Sequence, residues 1–249
     1  MAKKQRIDSL LVVLNYFPDT DSAKKAIILG RVFVDEQKIL KTTELFLPTC
    51  TIRVEHKDKY VSRGAHKLLS CIDALSLSGI FQDKVVYDVG SSTGGFTQVA
   101  LECGAAKVIA IDVGTNQLDY SLRVHPQVTS VEKTNILNFA SSDFDAPDVL
   151  VADISFQSVA RIAVKLIELA TIKNAYVIAL IKPQFELPRH LIPEGGVVTD
   201  KAHIAKAVGE VKKILEHLKV ANIKEFYCPV LGRNGNQEVF LVFKIAPQY

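Results

Sequence analysis

The sequence predicts an α/β chain in which a mostly parallel sheet, covered by helices on both faces, follows a small α+β domain. Three observations carry this. Residues 62–249 alternate short, β-branched apolar runs with helix-length segments, the pattern of a parallel sheet buried on both sides. A glycine-rich turn follows the first of those runs, where doubly wound sheets bind nucleotides. Residues 6–54 instead read as two helices followed by short strands. A 249-residue chain with 48% hydrophobic residues accommodates one sizeable core and a small appendage.

The first helix is expected over 6–18, where Ile7, Leu10, Leu11, Leu14 and Phe17 keep a helical spacing. Asp21 or Ser22 is the expected cap of a second helix running to Ile28 and closed by Gly30. An alternating strand spans 31–35, a turn at Glu36-Gln37 leads into another, and a third covers 51–54. Residues 1–56 form this domain, 57–61 a linker, and 62–249 the sheet domain. Sheet strands are expected at 85–89, 108–111, 128–131, 149–152 and 175–181. A closing antiparallel pair, 223–228 and 238–245, flanks a Gly-Arg-Asn-Gly-Asn turn and belongs at a sheet edge.

Charge is unevenly placed. Residues 1–66 carry net +4 and the remainder net −1, so an anionic partner is expected to dock at the N-terminal quarter. Cys50, Cys71, Cys103 and Cys228 form no C-x-x-C pair, which argues against a zinc or dithiol site and for buried free thiols. No run approaches the ~18 apolar residues of a membrane helix, and no signal peptide is read. The expectation is a cytoplasmic protein without metal or membrane partner, monomeric or weakly dimeric.

Candidate chemistry gathers at strand ends. The first sheet strand runs into Asp88-Val89-Gly90-Ser91-Ser92-Thr93-Gly94-Gly95-Phe96, whose G-x-x-x-G-G spacing is not the dinucleotide fingerprint. Asp112 ends the next strand, where a carboxylate can accept hydrogen bonds from both hydroxyls of a ribose. Asp153 and Lys182 end the fourth and fifth strands. A lysine ending a buried apolar strand must sit at an opening or be paired, and a neighbouring carboxylate can do the pairing. Lys67 lies on the helix opening the domain, and Glu238 at the start of the last strand.

These motifs resemble known families. Arg6, Asp8, Gly30, Val32, Val34 and Asp35 recur in the S-four type of RNA-binding domain, over about residues 5–54, although Ala23 followed by Lys24 and Lys25 replaces the Arg usual after the capping serine. The D-x-G-S-S-T-G-G-F loop resembles that of the FtsJ-like, Rossmann-like class I methyltransferases. That resemblance implies S-adenosylmethionine as cofactor. It places Asp88, Gly90, Ser91 and Gly94 near the methionine moiety, Asp112 on the ribose and Asn135 by the adenine, with Ser92, Phe96, Val113 and Asp153 completing the site. Lys67, Asp153, Lys182 and Glu238 match the Lys–Asp–Lys–Glu tetrad of ribose 2′-O-methyltransferases in order and context.

The residue types suit the reaction. A 2′-hydroxyl is a weak nucleophile whose proton must leave as it attacks, and a lysine can accept that proton when desolvation and a second ammonium draw its pKa down. Lys182 is the expected base or hydroxyl-orienting group, with the other three positioning it. Absent are the Asp/Asn-Pro-Pro-aromatic motif of amino-group methylation, replaced by Asp153-Ile154-Ser155-Phe156, and a cysteine placed for cytosine C5 attack, Cys228 reading as core.

The S-four type domain with "YVSRGAHKL", "DVGSSTGGFTQ", "DISF", "IKPQFE", "GGVV" and "GNQE" resembles the TlyA family (haemolysin A-like) along nearly the whole chain. This implies 2′-O-methylation of a cytidine in ribosomal RNA within a ribosomal subunit. The short chain, without an extended basic arm, points to the large subunit. Arg6, Lys24, Lys25, Arg31, Lys57, Lys59 and Arg63 are the expected RNA contacts. The loop after Lys182 is poorer in glycine than the family's, and its Arg189 and His190 suit either phosphate contact or plain surface. Rival readings are a non-catalytic RNA-binding assembly factor, a base methyltransferase and a membrane-active haemolysin.

Overall fold

A computed structural model describes residues 3–55 and 59–246. The chain divides into two compact units, Met1–Lys59 and Tyr60–Tyr249.

In the first unit, β1 (Gln5–Arg6), α1 (Ile7–Val13), α2 (Thr20–Ile28), β2 (Val32–Val34), β3 (Gln37–Ile39), β4 (Leu45–Phe46) and β5 (Ile52–Val54) follow in order. Helix α1 buries Ile7, Leu10 and Leu11, and α2 adds Ala23, Ala26 and Ile27 to the same core, which β2 closes with Val32 and Val34. Helix α1 is shorter than its apolar spacing predicts. Leu14 caps it and Asn15 turns to φ +58°, while Phe17 still packs on the core from the following loop. The cap of α2 is Asp19, not Asp21 or Ser22. Its carboxylate accepts from Ser22 N at 2.7 Å, as a cap accepts from the third residue of its helix. Sheet order is β3-β2-β5, with β1 and β4 forming a separate pair that the sequence pattern does not announce. The β2–β3 turn is Asp35-Glu36, one residue earlier than expected, and both residues adopt positive φ, as two-residue hairpins require.

The second unit contains α3 (Gly64–Leu75), β6 (Val85–Val89), α4 (Gly95–Glu102), β7 (Lys107–Ile111), α5 (Tyr120–Arg123), β8 (Val128–Val131), β9 (Val149–Ala152), α6 (Val159–Thr171), β10 (Tyr176–Ile181), α7 (Pro183–Glu186), α8 (Lys201–His217), β11 (Lys224–Tyr227) and β12 (Val239–Lys244). They build a seven-stranded sheet in the order β11-β12-β10-β9-β6-β7-β8. All neighbours are parallel except β12, which runs antiparallel to both β10 and β11. The closing hairpin thus lies at the sheet edge, as the turn residues predict.

Strand alternation sorts the core into two layers. Tyr87, Val89, Leu150, Ala152, Val177, Ala179 and Ile181 face α6 and α8. Val86, Val149, Val151, Ile178 and Leu180 face α3 and α4. Both faces are dry, so the central strands read as continuous apolar runs rather than as alternating ones.

Register fixes which ends meet. Val89 pairs with Ala152, and Ala152 with Ala179, so the carboxyl ends of β6, β9 and β10 share one edge. Ile181 pairs with Val239, which brings the start of antiparallel β12 to that same edge. Strand order reverses between β6 and β9, and the crevice beyond such a reversal is where doubly wound sheets bind ligands.

Phe240 is fully buried on β12, its ring 6.1 Å from that of Phe96. Phe240→Ala should destabilise the protein by about 3–5 kcal/mol, measured as a lowered urea midpoint.

Candidate functional site

Strand β6 delivers Asp88 to the sheet edge fully buried. Thr97 Oγ1 donates to its Oδ2 at 2.6 Å, while Oδ1 has no hydrogen-bond partner among the described residues. Burial pushes this carboxyl up to about 7, the negative charge of Asp153 adds to the shift, and the Thr97 hydrogen bond opposes it. The turn beyond β6 needs its first glycine. Gly90 has φ +81°, and a Cβ there would stand 2.7 Å from the Asp153 carbonyl oxygen. Gly94 has φ +97°, and a Cβ would lie 2.8 Å from Leu118 Cδ1, so packing as well as turn geometry demands it.

Asp112 follows β7. Its Oδ2 accepts from Ser92 N at 2.8 Å and its Oδ1 from Gly114 N at 2.7 Å. Two backbone donors hold the carboxylate rigid, and each oxygen keeps a lone pair for an incoming hydroxyl. Asn135 uses its Oδ1 to accept from Leu137 N at 3.0 Å, capping a short turn.

Two adjoining cavities open at this edge. One, of about 280 Å³, is bordered by Asp112, Val113, Gln117 and Asn135. The other, of about 530 Å³, is bordered by Lys67, Lys182 and Glu238. Gly90, Ser92, Asp153, Ser155 and Phe156 line both and form the wall between them.

The larger cavity collects two ion pairs. Lys67 Nζ donates to Glu238 Oε2 at 2.7 Å, both side chains being less than a tenth exposed. Lys182 Nζ lies 2.6 Å from Asp153 Oδ1 and donates to Ser155 Oγ at 2.8 Å. Four residues from α3, the ends of β9 and β10 and the start of β12 thus meet in one cleft. Each ammonium is matched by a carboxylate, which keeps two buried cations tolerable side by side. Cys228 is buried behind Lys67, 3.7 Å from Ser70 Oγ, and burial pushes its thiol up, away from nucleophilic character. All four cysteines are free. Among the described residues no group of three or more His, Cys, Asp or Glu could hold a metal ion.

The other predicted residues separate. Ser91 is nearly buried and lines the larger cavity, and Val113 is exposed on the smaller. Phe96 borders the larger cavity but is 3% exposed and belongs to the core. Gly94 borders neither. In the first unit Arg6 is committed locally. It pairs with buried Asp8 at 2.7 Å and holds that carboxyl below the usual range, a structural use that competes with RNA contact. Lys24 pairs with Asp21 at 3.3 Å on the surface, Lys25 is exposed, and Arg31 is half-buried. In the second unit Arg63 is exposed on the rim of the larger cavity. Lys59 is exposed, and Lys57 lies outside the described residues. Arg189 and His190 form a turn that lines neither cavity.

Several site residues escape reasoning from the sequence. Phe156 is 92% exposed with φ +64°, and its ring lies 5.6 Å from that of Phe185. Glu186 accepts from Ser158 Oγ and from Val159 N, tying the loop after β10 to the start of α6. Asn236 accepts from Val198 N at 2.8 Å and donates to Gly196 O at 3.0 Å, joining the Gly-Gly-Val-Val loop to the last hairpin. Arg233 and Gln184 also border the larger cavity. The "DISF", "IKPQFE" and "GNQE" runs contain most of these residues, but only tertiary contacts reveal what each one does.

Two measurements follow from these contacts. Below its ordinary value of 3.8, Asp88 is protonated whether folded or unfolded; between 3.8 and about 7 only the folded state keeps the proton. Stability contributed by Asp88 is therefore full at acid pH, falls as pH rises through that window, and is level above it. Relative to Asp88→Asn, which cannot ionise, the wild-type denaturation midpoint should drop as pH rises from about 4 to about 7. Glu238→Ala strands the Lys67 ammonium in a buried position and should cost about 3–5 kcal/mol, read in the same denaturation experiment.

Comparison with known proteins agrees with this geometry. The FtsJ-like methyltransferase family matches residues 60–245. The 16S/23S rRNA (cytidine-2′-O)-methyltransferase TlyA of Mycobacterium tuberculosis is 34% identical over 244 residues, covering 97% of this chain and 90% of that one. The 23S rRNA (cytidine-2′-O)-methyltransferase TlyA of Campylobacter jejuni is 34% identical over 185 residues, covering 74% and 70%. The solved structure of a hemolysin-named chain from Streptococcus thermophilus superposes with a TM-score of 0.70 at 32% identity, covering 100% of this chain and 91% of its own. The chain belongs to the FtsJ-like methyltransferase family and, within it, groups with the TlyA proteins.

Proposed function

We propose that this protein transfers a methyl group from S-adenosylmethionine to the ribose 2′-hydroxyl of a cytidine in ribosomal RNA. The observation that carries the reading is the pair of lysine–carboxylate contacts gathered in one cleft, separated from the Asp112 cavity by a single shared wall.

The residues fit the cofactor. Asp112, pinned by two backbone N–H groups, suits the two ribose hydroxyls, and the Cβ-free surface at Gly90 admits close approach of a ligand at the wall. Asn135 and Val113 would flank the adenine, with Ser91 and Ser92 near the amino-acid portion. S-adenosylmethionine supplies an electrophilic sulfonium methyl when bound. Transfer of that methyl to the 2′-oxygen would break its carbon–sulfur bond, leave S-adenosylhomocysteine and release the hydroxyl proton, which this chain must take up. Lys182, as the neutral amine, orients the hydroxyl and accepts that proton, while Asp153 holds the resulting ammonium in place. Lys67 and Glu238 balance the charge on the far side of the cleft. Positioning of two bound reactants supplies much of the remaining acceleration.

Phe156, exposed at the mouth of both cavities, offers an apolar face for the target base. Arg63 and Arg233 on the rim suit flanking phosphates. The first unit, with exposed Lys25 and partly exposed Lys24 and Arg31, is assigned to RNA binding as an S-four type domain. Large-subunit RNA is the preferred target, being common to the names of both TlyA relatives.

Purified protein would be incubated with isolated ribosomal subunits lacking the modification and methyl-labelled S-adenosylmethionine, and the digested nucleosides identified by mass spectrometry. Labelled 2′-O-methylcytidine should come from the wild type and not from Lys182→Ala. Label on a base, or none from either subunit despite cofactor binding, would refute the reading.

A further inference from the structure

We propose that Ser155 is a positioning residue for the transfer, fixing the direction in which Lys182 faces the attacking hydroxyl. The proposal rests on the reading of the cleft as a methyl-transfer site.

The contacts of Lys182 are unequal. Its Nζ is 2.6 Å from Asp153 Oδ1, yet that oxygen lacks a hydrogen bond of acceptable geometry, so the contact is an ion pair without direction. The directed hydrogen bond goes to Ser155 Oγ at 2.8 Å. A lysine head group has three equivalent N–H positions on a flexible stem. Coulomb attraction to Asp153 keeps it nearby but leaves it free to turn. The one directional contact, to Ser155, stops rotation about the Cε–Nζ bond and so sets the remaining positions, leaving one available to a substrate oxygen or, after proton loss, as a lone pair.

Location supports the assignment. Ser155 lines both cavities, so its hydroxyl stands where the two reactants must meet. The side chain is exposed, and its hydroxyl has no hydrogen-bond partner besides Lys182 among the described residues. It caps no helix and joins no ladder, so the fold does not call for it. Removing the hydroxyl should therefore leave stability nearly unchanged, as for other exposed positions. The exposed site also leaves room for the extra methyl of threonine.

Ser155→Ala and Ser155→Thr would be compared with the wild type in full-length protein. In nitrogen-15 NMR, the Lys182 ammonium signal is identified by its absence from Lys182→Arg. It should be visible in the wild type, lost through faster proton exchange in Ser155→Ala, and retained in Ser155→Thr. For transfer to ribosomal RNA, Ser155→Ala should lower kcat about tenfold to a hundredfold. KM for RNA and the Kd of S-adenosylhomocysteine by calorimetry should stay within about twofold, and threonine should restore kcat. An unchanged Lys182 signal in Ser155→Ala, an unchanged kcat, or a loss of S-adenosylhomocysteine affinity matching the loss of kcat would overturn the proposal. A wild-type protein that yields no 2′-O-methylcytidine overturns the functional reading alone, because the ammonium signal still decides whether Ser155 holds Lys182.

Discussion

Two lysines withdrawn from water must each be answered by a carboxylate, and much of the second unit is arranged so that they are. Lys67 is held by Glu238 and Lys182 by Asp153, with both lysines at most a tenth exposed. Neither pair is local. Each needs a sheet whose register brings β9, β10 and β12 to a common edge, and a helix packed against one face to present Lys67. The dry two-layer core supplies that rigidity, since close-packed side chains leave little room for strand ends to shift. Burial also raises the cost of losing any one partner, because an unpaired charge would then be left where water cannot reach it.

The same edge shapes the Asp112 cavity. Gly90 lies against the backbone of Asp153, so the glycine turn and the loop that carries the Asp153 carboxylate are touching chain segments. Asp112 is locked by amides of the turn and of its own loop. The Asp112 cavity and the lysine cleft are consequently one object with a partition, and moving that wall reshapes both. Asn236 ties an outlying loop to this frame, and Glu186 ties α7 to the start of α6, through side-chain hydrogen bonds that no helix or strand ladder supplies.

Much of this was legible in the residues themselves. The continuous apolar strands, the glycine turn and the charged residues Asp112, Asp153 and Lys182 at strand ends point to a doubly wound sheet, because these features follow from local chain chemistry and from burial on both faces. The tetrad could be named because each member stands at a recognisable strand or helix end. What stayed hidden depends on contacts between distant segments. Nothing in Arg6-Ile7-Asp8 announces that the arginine is spent on its neighbour's buried carboxylate. The cap at Asp19 competes with equally good caps at Asp21 and Ser22, and helix geometry alone chooses among them. Gly94 reads as a cofactor contact, and only the structure adds that Leu118 and Leu122 occupy the space where its Cβ would stand. Ser155 and Phe156 look like ordinary loop residues until the two cavities are found to share them.

The Lys67–Glu238 contact spans 171 residues of chain. One partner is made early in the second unit, and the other arrives only with its last strand. A growing polypeptide therefore carries the glycine turn, Asp112 and three of the four tetrad residues well before the cleft is whole. The charge of Lys67 stays unbalanced until β12 pairs with β10, so the cleft is completed only by the last sheet strand in chain order. A chain lacking β12 would hold an unpaired Lys67 and an unfinished sheet edge beside β10.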